Sequence, residues 1–326
     1  MKKKVALGID IGGTNTALGL VDSSGRFVYE ETFATCAHES FALFRSRLSE
    51  KIHALCERFA GDYVLTGIGA AAPTGNYYRG TIESPSNFKW GNVEFVSLMQ
   101  EHYDLPIVIT NDANAAALGE MRYGEARSMH NFMVVTLGTG VGSGIVVNGD
   151  LVYGHDGLAG ELGHTIVEPQ GRQCACGRRG CLEAYASARG ICRTVFELLS
   201  MHTDDSEFRY ISFNALSAEM IYQFALRGDH LALAAFEYTG RILGRALADA
   251  AAYFSPQAII IFGGLAQAGN FLLDPVRRHF DENLLNVYKG KVQILPSQKN
   301  KGNLAVLGAS VLVQKELEKM GKLAAQ

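Results

Sequence analysis

A strand, glycine turn and returning strand occur twice in this chain, and that repetition constrains the fold more than any other feature. Val5, Leu7, Ile9 and Ile11 alternate as a strand does, Gly12-Gly13-Thr14 makes a turn, and residues 17 to 21 read as the returning strand. Asp22-Ser-Ser-Gly25 then turns the chain into a third strand. The plan recurs with a strand over 132–137, the turn Gly138-Thr-Gly-Val-Gly142, a strand over 143–147, and Asn148-Gly149 as a hairpin turn before 151–153. A spacing of roughly 127 residues (from 5 to 132) is too wide for a solenoid and implies two domains of one design. Apolar runs over 63–70, 107–110 and 258–262, bounded by turn residues, predict buried parallel strands. Helical stretches over 40–58, 113–122, 231–253 and 305–317 alternate with them. The expectation is an α/β protein with two sheet-centred domains: residues 1–118, joined by a C-terminal helix over 305–326, and residues 119–304.

The chain has 326 residues, 48% of them apolar, enough to form a sizeable core in each of two domains. A net charge of −3 and a pI near 6.3 provide no field for nucleic acid, which is excluded as a partner. No apolar run reaches eighteen residues, so no membrane span is expected. The apolar run after Met-Lys-Lys-Lys is broken at Gly8 and Asp10, too soon for a secretory signal, and the expected location is cytoplasmic.

That location bears on the cysteines. Cys174, Cys176 and Cys181 fall within eight residues, and His164 lies ten positions upstream. Three thiols and an imidazole make the four ligands of a closed tetrahedral zinc site. Gly177 and Gly180 let a short loop fold back on itself. Such a site has no vacant position for a catalytic water, so the expected Zn²⁺ is structural. Disulfides drawing on Cys36, Cys56 and Cys192 are the alternative, which a reducing compartment disfavours. Arg172, Arg178 and Arg179 lie beside the cysteines without interleaved aromatics and read as a solvated rim or a domain contact.

Glycine turns after strands can close backbone N–H groups on an anion. In Asp10-Ile-Gly12-Gly13-Thr14-Asn15, Thr14 and Asn15 add side-chain donors, and Asp10 is placed to hold Mg²⁺ through water. Gly138, Thr139, Gly140 and Gly142 form the second such turn, and Gly263-Gly264 follows a strand where close backbone approach could admit an adenosine. Each alone is also a plain hairpin turn; their equivalent placement points to a nucleoside triphosphate. Neither a P-loop nor a helix-opening G-x-G-x-x-G occurs. Asn111-Asp112-Ala-Asn114 ends a strand and opens an Ala-rich helix. Either of the first two residues could be the helix cap. Strand ends are also where open α/β sheets bind ligands, and there Asp112 could take a proton from an attacking hydroxyl with Asn111 holding a neighbouring one. Glu161, three residues before His164, and Glu183, two after Cys181, join the metal ligands in one locality suited to a molecule with many hydroxyls. Asn87, in a loop before Trp90, is a candidate for a further hydroxyl anchor, and by its residues alone also reads as a plain loop asparagine.

Taken together, Cys174-x-Cys176-Gly-x-x-Gly-Cys181-x-Glu183, Gly-Glu161-x-Gly-His164, Asp10-x-Gly-Gly-Thr-Asn15, Asn111-Asp112-Ala-Asn114, Leu137-Gly-Thr-Gly-x-Gly142 and Pro256-x-x-Ile-x-x-x-Gly-Gly264 resemble the ROK family of bacterial sugar kinases and related repressors. The resemblance spans residue 5 to about 310. It implies two actin-like, ribonuclease-H-like domains around an interdomain cleft that closes on ATP and a hexose, with the zinc-pinned loop in the larger domain. It makes Asp112 the base that activates the sugar 6-hydroxyl, and Asn87, Asn111, Glu161, His164 and Glu183 the holders of other hydroxyls. His164, Cys174, Cys176 and Cys181 become the zinc ligands, and a homodimer is implied. Glucose is the favoured acceptor. Ser143, Leu265, the segment 71–76 and Phe88-Lys89 depart from the family's usual residues, and the last two bear on which sugar is accepted. The repressors carry a helix-turn-helix ahead of the first glycine motif, which here begins at Asp10. Loss of the metal is expected to fall on sugar affinity more than on ATP affinity.

Overall fold

The computed structural model describes residues 2–85, 88–203, 205–297 and 303–324. Contacts divide the chain into one unit of Met1–Ser128, Leu151–Ala159 and Gln298–Gln326, and a second of Met129–Asp150 and Gly160–Ser297.

The first unit runs β1 (Lys3–Ile11), β2 (Asn15–Asp22), β3 (Phe27–Ala34), α1 (Phe41–Phe59), β4 (Tyr63–Ala72), the short pair β5 (Gly75–Asn76) and β6 (Thr81–Ile82), α2 (Phe95–Gln100), β7 (Ile107–Asn111) and α3 (Asp112–Tyr123). Its sheet has the order β3-β2-β1-β4-β7, antiparallel from β3 to β1 and parallel from β1 to β7. Leu7, Ile9 and Ile11 on β1 and Phe44, Leu48 and Ile52 on α1 are fully or almost fully buried in one core with Phe95 of α2. Each such side chain stabilises the fold by roughly 1.5–3 kcal/mol on burial. The spacing 44, 48, 52, 55 is the stripe of an amphipathic helix, and Ser40 caps α1 by accepting from the Leu43 N–H.

The C-terminal helix Leu304–Ala324 closes this sheet on its other face. Two glycines make that possible. Gly8 and Gly69 are register partners on β1 and β4; a Cβ at Gly8 would lie 2.0 Å from the Val306 carbonyl oxygen, and one at Gly69 1.8 Å from that of Ala309. Backbone therefore meets backbone at this spot, and any side chain there would force the helix off the sheet. The segment Leu151–Ala159 is held in the same unit: Tyr153 stacks on Tyr77 at 4.4 Å between ring centres, and the Asn76 side chain donates to the Asp156 carbonyl at 2.6 Å.

The second unit runs β8 (Phe132–Leu137), β9 (Val141–Val147), β10 (Asp150–Leu151, at whose second residue the chain passes to the first unit), α4 (Glu183–Ala186), α5 (Ala188–Met201), α6 (Ala218–Leu226), α7 (His230–Phe254), β11 (Ala258–Phe262), α8 (Asn270–Asn283) and β12 (Gln293–Pro296). Its sheet order β10-β9-β8-β11-β12 repeats the first: an antiparallel hairpin, then parallel strands. The expected duplication holds, and each unit has the actin-like, ribonuclease-H-like arrangement. Its core packs α7 and α8 on the sheet through Phe236, Leu243, Leu247, Val276 and Phe280. Among the described residues no helix is long and apolar enough to cross a membrane.

Candidate active site and metal centre

Parallel pairing of β1, β4 and β7 brings their C-terminal ends to one edge of the first sheet. Asp10 pairs in register with Ala71, and Ala72 with Asn111, so Asp10 and the residue that follows β7, Asp112, come to the same edge. Asn111 takes the role of helix cap: its Oδ1 accepts from the Ala113 N–H at 2.8 Å. Asp112 is the first residue of α3, and its Oδ1 accepts from the same N–H at 2.8 Å. Some of its surface still reaches solvent, but its carboxyl is ringed by protein atoms, and that burial raises its pKa against the pull of the Ala113 N–H.

Asp10 has a partner that no motif announces. Asn303 donates from Nδ2 to Asp10 Oδ2 at 3.2 Å, while its own Oδ1 accepts from the Ala305 and Val306 N–H groups and so caps the C-terminal helix. Burial pushes Asp10 up to about 6, Asn303 pulls it down, and the Asp112 charge pushes it up again. A buried carboxylate raised by the charge of a second one beside it is a natural seat for a cation. They also carry a stability cost whose sign is fixed. Between pH 3.8 and about 6 the folded state binds the Asp10 proton more tightly than the unfolded chain, so stability falls as pH rises through that window. Asp10→Asn removes this loss and should stabilise the protein at pH 7 by up to about 3 kcal/mol. Urea melts of both proteins at pH 4 and pH 7 check this; an equal difference at the two pH values would remove the charge from the explanation.

The two glycine turns are hairpin turns with exposed tips. In the first, the Gly12 N–H donates to the Asn15 carbonyl at 3.0 Å, and Thr35 braces both sides, donating from N to the Thr14 carbonyl at 2.9 Å and from Oγ1 to that of Gly12 at 2.7 Å. Gly13, Thr14 and Asn15 are left exposed. In the second, the Gly138 N–H donates to the Gly140 carbonyl at 3.0 Å, Thr139 is exposed, and Gly142 lies on β9. Gly263 has φ +109°, and a Cβ there would lie 2.5 Å from the Leu137 carbonyl oxygen, so only glycine lets β11 end against β8 in this way. Gly264 beside it is exposed, with nothing within 4 Å of where a Cβ would stand. Ser143, one of the departures, is buried and donates to the Gly160 carbonyl at 2.5 Å, anchoring the residue before Glu161.

In the second unit, one ligand atom each from His164, Cys174, Cys176 and Cys181 lies within 4.8 Å of all the others. Cys176 Sγ is 3.7 Å from Cys181 Sγ, and Cys174 Sγ is 3.8 Å from His164 Nδ1. A tetrahedral shell with Zn–S near 2.3 Å separates its sulfurs by about 3.8 Å, so the donor set and its spacing fit Zn²⁺. Burial pushes the Cys174 thiol up to about 12, and a thiolate at that position calls for a compensating cation. All six cysteines are free thiols in the structure.

Arg172 corrects the reading of a solvated basic rim. It is 8% exposed, and its five guanidinium N–H groups reach Glu197 through Nε and Nη2, Thr194 Oγ1 through Nη2, and the Ala184 and Gly190 carbonyls through Nη1, at 2.5–3.1 Å. Its guanidinium also lies 4.5 Å from the Tyr185 ring centre. The cysteine loop is thereby fastened to α4 and α5 two residues before its first thiol. Arg178 and Arg179 are exposed, as expected of a rim.

Glu161 precedes the short 3₁₀ turn Leu162–His164 and is exposed, its carbonyl accepting from the His164 N–H at 3.0 Å. Glu183 begins α4 and sits 3.8 Å from Cys174 Sγ through Oε1. The structure thus gathers Asp10 with Asp112, and Glu183 with the metal ligands. Asn87 lies outside the described residues. Asn303, Thr35 and Arg172 were not legible as site residues, since each acts through partners distant in sequence.

The sequence profile of the ROK family matches residues 6–316. A glucokinase of Halalkalibacterium halodurans is 35% identical over 293 residues, 86% of each chain. A ROK family glucokinase of Streptomyces griseus, solved with glucose and AMPPNP, superposes with a TM-score of 0.80 at 31% identity, covering 95% of this chain and 99% of that one. A ROK family transcriptional regulator, a homologue of the E. coli MLC protein, superposes with a TM-score of 0.86 at 26% identity, covering 96% of this chain and 78% of that one.

Proposed function

We propose that this chain, which belongs to the ROK family, is an ATP-dependent hexose kinase that phosphorylates the 6-hydroxyl of its sugar, with glucose the favoured acceptor. The observation that carries the reading is the pair of buried carboxylates, Asp10 and Asp112, at a sheet edge next to a glycine turn. Its similarity to glucokinases supports the choice of sugar.

In this reading Asp112 accepts the proton of the sugar hydroxyl as that oxygen bonds to the γ-phosphorus, and the bond from phosphorus to the bridging oxygen breaks to release ADP. A base with a raised pKa is better matched to a hydroxyl than an ordinary aspartate. Mg²⁺ bound with the nucleotide neutralises phosphate charge, and Asp10 is the residue that would hold it through water. Gly12, Gly13, Thr14 and Asn15, with Gly138, Thr139, Gly140 and Gly142, present turn donors to the phosphates, and Gly263 and Gly264 leave room for the adenosine. Asn87, Asn111, Glu161, His164 and Glu183 hold the remaining hydroxyls. Because His164 turns Nδ1 toward Cys174, its Nε2 is the nitrogen left to meet a hydroxyl. The same reading places the enzyme in the cytoplasm as a homodimer.

Purified protein with Mg-ATP and a panel of glucose, mannose, fructose, N-acetylglucosamine and N-acetylmannosamine should release ADP, fastest with glucose. A faster rate with another sugar would reassign the acceptor, and no stimulation by any would end the kinase reading. The fold shared with a transcriptional regulator favours one second reading, a sugar-responsive repressor, which sugar-dependent retardation of DNA in a gel would support.

A further inference from the structure

Glu183 has a bond that a hydroxyl ligand does not need. The Val141 N–H donates to its Oε2 at 3.0 Å, and a Cβ at Gly140 would stand 2.3 Å from the same oxygen. The carboxylate is therefore seated directly under the second glycine turn. Five residues on, the Ala188 N–H donates to the Gly138 carbonyl at 2.9 Å. One short segment, from α4 to the start of α5, thus grips the turn at both ends, and it follows Cys181 by two residues. We infer that Glu183 is a positioning residue for the turn Gly138–Gly142, so that the segment carrying the metal ligands sets nucleotide affinity as well as sugar affinity. The inference rests on the kinase reading for the role of that turn.

The tip of the turn beyond the β8–β9 ladder is where this grip acts. The hairpin itself is held by the bond from the Gly138 N–H to the Gly140 carbonyl and by the ladder that pairs Val141 with Leu137 and Gly142 with Thr136. The charge-assisted bond from the Val141 N–H to Glu183 adds a hold from outside the hairpin at the first residue of β9. Glycine at 140 is what lets the carboxylate approach, since any side chain would displace it.

Three variants of the zinc-loaded protein test this: Glu183→Gln, which keeps an oxygen to accept from Val141; Glu183→Asp, which keeps the charge but is one methylene too short to reach; and Glu183→Ala. Affinity for Mg-AMPPNP without sugar, and for glucose without nucleotide, would be measured by calorimetry. Asp and Ala should weaken Mg-AMPPNP about tenfold, the loss of one such bond, while Gln, which keeps the bond without its charge, falls between the parent and Asp. All three should weaken glucose. Should Ala fail to fold, Asp decides. Unchanged Mg-AMPPNP affinity in Asp, with glucose weakened, overturns the inference and leaves Glu183 a sugar ligand alone. If Gln loses nucleotide affinity as far as Asp does, the acceptor oxygen is not what matters and the inference also fails. A parent protein that binds neither ligand refutes the kinase reading itself, which is a different result.

Discussion

Asp112→Asn is expected to lower turnover by about 10²–10⁴-fold while leaving sugar affinity within a few-fold of the parent. The substitution is isosteric, and an asparagine oxygen can still accept from the Ala113 N–H that Asp112 engages, so α3 should start where it does now. The cap belongs to Asn111, whose own replacement by alanine should cost about 1 kcal/mol of stability without a comparable effect on chemistry. The two variants therefore separate base from cap. Because burial raises Asp112, the base loses its readiness as pH falls through a value above the ordinary aspartate range, and the acid limb of kcat/KM should lie correspondingly high. Near-normal turnover in Asp112→Asn would reduce the residue to a helix-start acid.

Cys181→Ser is the second large effect. Cys181 is completely buried and supplies one of four ligands, so the variant should purify with almost no zinc, where the parent carries about one equivalent per chain. Structural zinc is worth several kcal/mol even where other contacts support the loop, and a drop of about 10 °C in melting temperature is expected. The Arg172 clamp should keep the base of the loop folded, so the variant ought to remain soluble and bind both ligands weakly. Sugar affinity should fall through His164 and Glu183, and nucleotide affinity should fall with it through the Glu183–Val141 bond. The resemblance placed that loss mainly on the sugar side; the Glu183–Val141 bond extends it to the nucleotide side. Full zinc content and unchanged melting in Cys181→Ser would show that the cluster is not a metal centre.

Much of this was legible because the informative residues are near neighbours in sequence. The alternation of Val5, Leu7, Ile9 and Ile11 gives β1, the near-continuous apolar run Phe132–Leu137 gives β8, and the spacing of the cysteines gives the cluster. Asp112 could be read as cap or base, and only the placement of the Asn111 side chain separates the two. What stayed hidden depends on distant partners. Arg172 looks like any surface arginine until α5 supplies Glu197 and Thr194. Asn303 belongs to no motif, yet it touches Asp10 from the far end of the chain. The helices at Ala188–Met201, Ala218–Leu226 and Asn270–Asn283 also escaped the sequence reading: the first has Gly190 in its opening turn, the second is short, and the third contains Pro275.

The seat of the C-terminal helix on Gly8 and Gly69 has a consequence for how the protein is made. A ribosome releases β1 and β4 long before it releases Leu304–Ala324, since the whole second unit is translated in between. Until that helix emerges, Gly8 and Gly69 have nothing seated on them, and Asp10 has no Asn303. The nascent chain therefore holds its carboxylate pair without Asn303 until the whole second unit has been made, so the two halves of the first unit can be joined only after the second has had time to fold.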